Sequence, residues 1–379
     1  MAALFSIFPL DQWAGESLAM RRPKEFAHFS YDDNHVYCPD DRSIRYYYPP
    51  RLGVNLSAGY ESFDKHDDTA DEHLDSLLKS IVQFEQKGWE KIDAEVVTWR
   101  GMVTKIMSSP FDDRDGFEMN ATLYQVWRFI EENHAHKMKA RQEQDSRPRR
   151  GPIPGEVMGF WGYKFETLST LPAPWGETSR DYIEGRENEV VSNKAQYCSI
   201  VRTGVSGKPV LCLGGEVDAL WDSRPPPGEP INWVELKTSA EIRNGRDMAN
   251  FERKLMRFWI QSFLLGVPRI IVGFRTQDGI LCSLEEIKTE TIPHTAKRPG
   301  SQAGWDGNVC INFMGSFIEW LKQVINDEGV WRIRRKPGAS NIEVFRIEET
   351  GHGRILTDEF INWRIKLSLG PSPPVQEEG

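Results

Sequence analysis

The chain has 379 residues, 39% of them hydrophobic, with 13 tryptophans and a formal net charge of −9. That is enough for one large domain or two ordinary ones, and the negative balance excludes broad, non-specific adhesion to nucleic acid while leaving room for a local basic channel. Five cysteines (38, 198, 212, 282 and 310) never fall in a C-x-x-C, which excludes a disulfide framework and a zinc knuckle and fits a reducing compartment.

The opening "MAALFSIFPLDQW" lacks a basic n-region and a cleavage site, so a secretory signal is not expected. The rest of the first fifty residues reads as irregular structure laid on a core. "DEHLDSLLKSIVQFEQKG" predicts an amphipathic helix, with Leu74, Leu77, Leu78, Ile81 and Val82 on one face and Gly88 at its end. "EVVTWRGMVTKIM", "GFEMNATLY" and "VWRFIEE" alternate as strands do. Lys137 to Arg150 is polar and basic and reads as a surface loop. Past "GPIPG" the pattern is again strand-rich: "FWGYKFETL", "YCSIVR", "PVLCLGGEVDALW" and "NWVELKTS", with "DSRPPPGEP" as the clearest loop.

"NFERKLMRFWIQSFLLGVP" keeps a helical period until Gly266 and Pro268 stop it. Gln261, Pro268 and Arg269 interrupt it too much for a bilayer span, so no membrane partner is expected. "RIIVGFRTQDGILCSL" predicts a hairpin turning at Asp278-Gly279. A helix from Val309 to Val324 and a hairpin at "RRKPGAS" follow. No break divides the chain, so one catalytic domain is expected over 1–366, with a disordered tail over 367–379.

The stretch "WVELKTS" carries the chemistry. On a strand Val234, Leu236 and Thr238 point one way and Glu235, Lys237 and Ser239 the other. Alone, an E-x-K on a strand is a solvated ion pair. Seventeen residues before Glu235, however, "GGEVDAL" places Glu216 and Asp218 on one side of another strand, expected to pair with the first. An acid followed by acid-x-lysine on a neighbouring strand is the signature of a metal-dependent nuclease core. Carboxylates bind Mg²⁺ or Mn²⁺, and the lysine stabilises developing charge or helps deprotonate water.

Like charges ~4 Å apart repel by about 4 kcal/mol at an effective dielectric of ~20, so clustered acids call for protons or a divalent cation. "GYKFE", read as a strand, sets Glu166 on the side of Lys164 and makes it a fourth candidate carboxylate. Gln261 is a polar residue in an apolar helix, suited to orienting water or phosphate. Arg100, read as interrupting an apolar strand, is suited to gripping phosphate or a base. There is no Walker A loop, no strand–GxGxxG–helix and no HExxH.

Read in order, "TWRG", "GYKFE", "YCS", "GEVD", "VELKTS" and "QSFLLGVP" with "GFR" resemble the DXO family of decapping exoribonucleases, above all its fungal nuclear members that partner the 5′–3′ exoribonuclease. The resemblance implies an α+β single domain with two twisted mixed β-sheets flanked by helices. It also implies two Mg²⁺ or Mn²⁺ ions, a nuclear location and removal of incomplete RNA 5′ ends: pyrophosphate from 5′-triphosphate RNA, unmethylated caps and NAD caps.

Carried over residue by residue, Glu166, Glu216, Asp218, Glu235 and the Leu236 carbonyl ligate metal, and Glu216 also meets substrate. Lys237 and Gln261 act on phosphate or water. Glu72, Trp99, Arg100, Gly101 and Cys198 line the substrate channel. His35 departs from the family's mammalian members, which carry arginine there, and this puts the RNA phosphate contact and any 5′–3′ exonuclease activity in question. A scaffold whose only role is to stabilise the exonuclease, and a DNA end-processing nuclease, are the alternatives.

Overall fold

The computed structural model describes residues 2–146, 153–205, 210–226 and 228–370. Among them a ten-stranded mixed sheet runs in the order Ala3–Ser6, Asn341–Glu348, Val330–Arg335, Phe117–Tyr124, Trp127–Glu132, Val96–Trp99, Val210–Glu216, Gln196–Val205, Met20–Tyr31 and Tyr37–Cys38. A six-stranded sheet runs Leu281–Lys288, Arg269–Arg275, Trp233–Ala240, Ala219–Leu220, Tyr46–Tyr47 and Thr170–Leu171. The expected α+β domain with two mixed sheets is what the chain forms.

The largest core joins the two sheets. Leu211 and Leu213 from the first and Trp233, Ile270 and Val272 from the second share it with Met256, Ile260, Phe313 and Phe317. These last four come from helices Gly245–Leu265 and Gly307–Val324. On the other face of the large sheet, Leu77, Leu78 and Ile81 pack with Val97, Phe129 and Phe360. Glu85, buried there, accepts from the Ile92 N–H, the Trp363 indole and Arg364, so its charge is satisfied and ties helix Asp75–Gly88 to helix Asp358–Leu369.

Several segments depart from expectation. Met20–Tyr31 is a strand paired along Gln196–Val205 rather than irregular chain; Pro23 and the charges beside it masked the pattern, and the pairing slips between Arg21 and Lys24. "TWRGMVTKIM" splits into the end of a strand and helix Arg100–Ser108. "GYKFE" lies in helix Gly155–Leu168, because Trp161, Phe165 and Leu168, spaced four and three apart, pack on Val234, Leu236 and Ile271. The basic segment begins in helix His134–Asp145, and 147–150 fall outside the described residues. The last helix reaches Leu369, so the boundary set at 366 is too early; 371–379 lie outside the described residues. No described helix is long and apolar enough to cross a membrane.

Candidate active site

Three strands of the large sheet end together. Gly214 pairs in parallel with Trp99, and Glu216 pairs antiparallel with Cys198. Trp99, Arg100, Gly101, Cys198 and Glu216 therefore share one end, with Arg100 as the first residue of its helix. The approach is close enough to demand glycine: a Cβ on Gly214 would meet the Trp99 ring at 2.8 Å, and one on Gly215 would meet Leu265 at 2.8 Å and Arg100 Cβ at 3.2 Å.

Past Glu216 the chain leaves the large sheet, and Ala219–Leu220 joins the small one beside Val234 and Trp233. Glu216 and Asp218 thus flank a crossover between sheets. The sequence suggested that the strand ending at Glu216 pairs with the one carrying Glu235; instead it pairs within the large sheet, and only Ala219–Leu220 reaches the second strand. Beyond Val234 that edge of Trp233–Ala240 is open, and Asp218 occupies it: its Oδ2 accepts the Leu236 N–H at 2.6 Å. N–H and C=O of one residue point to the same side of a strand, so the Leu236 carbonyl faces the same opening.

Opposite the face of Val234 and Leu236, Lys237 Nζ meets Glu235 Oε1 at 2.5 Å. The Arg100 guanidinium lies 3.6 Å from Glu235 Oε2. Glu235 is 2% exposed and Lys237 25%. Arg100 Nη1 and Glu235 Oε2 are both buried without a hydrogen-bond partner. Glu166 comes from the helix packed on the other face of that strand. Its neighbour Lys164 turns away to donate to the Glu187 carbonyl at 2.8 Å.

Burial, then the charges of Asp218 and Glu216, hold Glu166 well above the usual carboxylate range. Burial, with Glu235 adding, pushes Asp218 up to about 8. Glu216 is raised by burial against the pull of Arg100. In Glu235 burial pushes up, but Lys237 and Arg100 outweigh it and the carboxyl sits low. Burial works against the Lys237 ammonium, yet Glu235 and Asp218 hold its pKa above the ordinary lysine value. One acid held low by two cations therefore stands beside three acids that burial holds high. The four carboxylates are hard oxygen donors, with one oxygen orphaned in Glu235, and are of the kind that hold divalent cations.

Trp99, Gly101 and Cys198 share the strand ends beside Glu216, whereas Gln261 opens on a cavity that none of the four carboxylates lines. Trp99 Nε1 donates to the His73 carbonyl at 3.3 Å. Cys198 is buried, and burial raises its thiol far above the ordinary value. Half-buried Gln261 lines a cavity of about 230 Å³ with Gly101, Thr104, Lys105 and Arg257. Glu72 is more than half exposed and lies 3.3 Å from His66 Nε2 and 3.6 Å from His35 Nε2. The sequence reading passed over His66, since nothing in an irregular segment signals a partner 31 residues away.

These charges set a pH dependence. Asp218 holds its proton in the folded chain up to about 8 but releases it near 3.8 when unfolded. Between those values the folded state binds more protons, so metal-free stability falls as pH rises; Glu216 and Glu166 act in the same direction. Melting temperatures of metal-free protein should decline from pH 5.5 to 8, and Mn²⁺ should flatten the decline. A metal-free curve that climbs over this interval would contradict these environments.

Residues 21–361 match the family described as RAI1 like PD-(D/E)XK nuclease, and the chain belongs to it. Asp218 and Glu235-Leu236-Lys237 supply the D and (D/E)-x-K of that name, with Val217 where the name has proline. Among particular proteins, the chain is 65% identical over 376 residues to Decapping nuclease RAI1 of Gibberella zeae, covering 98% of this chain and 99% of that one. The crystal structure of Candida albicans Rai1 in complex with pU5-Mn²⁺ superposes with a TM-score of 0.87 and 32% identity, over 96% of this chain and 100% of that one. Scheffersomyces stipitis Rai1 in complex with (3′-NADP)⁺ and calcium ion gives 0.84 and 30%, over 95% and 99%.

Proposed function

We propose that this chain is a metal-dependent hydrolase of incomplete RNA 5′ ends. It releases pyrophosphate from 5′-triphosphate RNA and removes unmethylated and NAD caps. It works in the nucleus with a 5′–3′ exoribonuclease that it also stabilises. The observation that carries the reading is the meeting of Glu166, Glu216, Asp218, Glu235 and Lys237 where the two sheets join, in a chain so similar to a decapping nuclease.

Glu166, Glu216, Asp218, Glu235 and the Leu236 carbonyl would hold two Mg²⁺ or Mn²⁺ ions. Such ions supply Lewis-acid stabilisation of phosphate oxygens and a more acidic water. Glu235 fixes the Lys237 ammonium, which meets negative charge as it develops on the phosphate. Arg100 offers the phosphate a planar pair of donors, and Gln261 orients water or phosphate from the neighbouring helix. Trp99, Gly101, Cys198 and Glu72 shape the channel. Incubating the pure protein with Mg²⁺ or Mn²⁺ and 5′-triphosphate, 5′-GpppN and 5′-NAD RNAs tests the reading. Intact 5′ ends on all three would overturn it.

Arg100→Ala separates substrate grip from metal binding. Its guanidinium stands beside Glu235 and repels a cation there, so removing it leaves Mn²⁺ affinity equal or higher while kcat/KM on triphosphate RNA falls about tenfold or more. Calorimetry paired with steady-state kinetics reads both quantities. A variant that loses Mn²⁺ affinity but keeps wild-type kinetics at saturating metal would contradict the role.

A further inference from the structure

We infer that His35, His66 and Glu72 form a second metal site, separate from the carboxylate cluster, for a borderline divalent ion such as Zn²⁺ or Co²⁺. Among the described residues they are the trio whose ligand atoms all lie within 4.8 Å of one another. Two imidazoles and one carboxylate suit ions of that class better than Mg²⁺, which prefers oxygen.

The site is built rather than incidental. His35 Nδ1 lies 2.8 Å from the Lys194 carbonyl, which can only accept, so Nδ1 carries the hydrogen and Nε2, 3.6 Å from the Glu72 carboxylate, is the nitrogen left to meet an ion, which would displace any proton there. That Nε2 is buried and has no hydrogen-bond partner. A metal-binding histidine is oriented in this way, its second nitrogen fixed by a backbone carbonyl. The His66 backbone N–H donates to Asn193 Oδ1 at 2.7 Å, and Asp64 takes the Lys194 ammonium at 2.6 Å. One short segment, 193–194, therefore positions both histidines.

His35 itself adopts φ 61°, a left-handed backbone uncommon for a non-glycine residue, and Tyr31 stacks on its ring at 4.0 Å. The His35 and His66 rings stack at 3.7 Å, 25° from parallel. Parallel rings do not aim both lone pairs at one point, so binding asks His66, the more exposed of the two and already 3.3 Å from Glu72, to turn out of its stack on His35.

Zinc titration by calorimetry tests the site, with Asp218→Asn in the background to disable the carboxylate cluster. One Zn²⁺ should bind this protein, and adding His66→Ala should weaken that event about tenfold or more, as loss of one of three ligands requires. Exposed Glu72→Gln should act in the same direction without risk to the fold, and excess Mg²⁺ should not compete. The proposal fails if Zn²⁺ binding is absent, or if it is indifferent to both substitutions. Because the readout is binding alone, it is independent of whether RNA 5′ ends are hydrolysed.

Discussion

Asp218→Asn removes 5′-end hydrolysis and leaves the fold standing. Asp218 lies on the crossover between the sheets, close enough to Glu216, Glu235 and Glu166 for their charges to affect one another. Loss of a ligand in such a position removes several kcal/mol of transition-state stabilisation, about a thousandfold or more in rate. Asparagine is preferable to alanine, because its side-chain oxygen still accepts the Leu236 N–H. Alanine would leave that donor unpaired at roughly 1–3 kcal/mol. Since the aspartate at neutral pH is an acid held against its preference, the metal-free variant should melt at or above the wild-type temperature. Wild-type turnover at saturating Mn²⁺ would end the assignment.

Lys237→Ala loses rate and metal-free stability together. One strong electrostatic contact to the developing phosphate charge is worth ~3–4 kcal/mol, about two to three decades in kcat. The same lysine compensates Glu235, which is 2% exposed. Breaking a buried pair by removing one partner costs roughly 3–5 kcal/mol, and Arg100 at 3.6 Å keeps this variant near the lower end. Mn²⁺ held by the proposed ligands would take over the neutralisation of Glu235, so metal should raise the variant's melting temperature more than the wild type's. Binding to the proposed exoribonuclease partner should survive, because the Lys237 ammonium is turned onto buried Glu235 rather than outward. Unchanged kcat, or loss of partner binding by a correctly folded variant, would count against the separation of the two roles.

The strand carrying Glu235 and Lys237 was legible because its alternation matches a sheet with two unlike faces: Val234 and Leu236 pack on a helix, and the charged pair faces the other way. Helix Gly245–Leu265 was legible because Gly266 closes it in the left-handed conformation. "FWGYKFETL" misled because aromatics favour strands, whereas tertiary packing at a four-and-three spacing made it helical. What no local pattern could supply was which strands are neighbours. Glu216 and Glu235 meet through two residues, Ala219 and Leu220, and such a short link leaves no periodic trace. The Arg100–Glu235 contact spans 135 positions and has no local signal at all.

The crossover after Glu216 makes the carboxylate cluster a reporter of how the two sheets are seated. Glu216 belongs to one sheet and Glu235 to the other, and the Val217–Asp218 link, the shared core and the Arg100–Glu235 contact fix their separation. A small opening along that seam would leave every strand pairing intact and still pull the carboxylates apart. Chemical competence is thus an early casualty of loosening, lost before secondary structure reports any change.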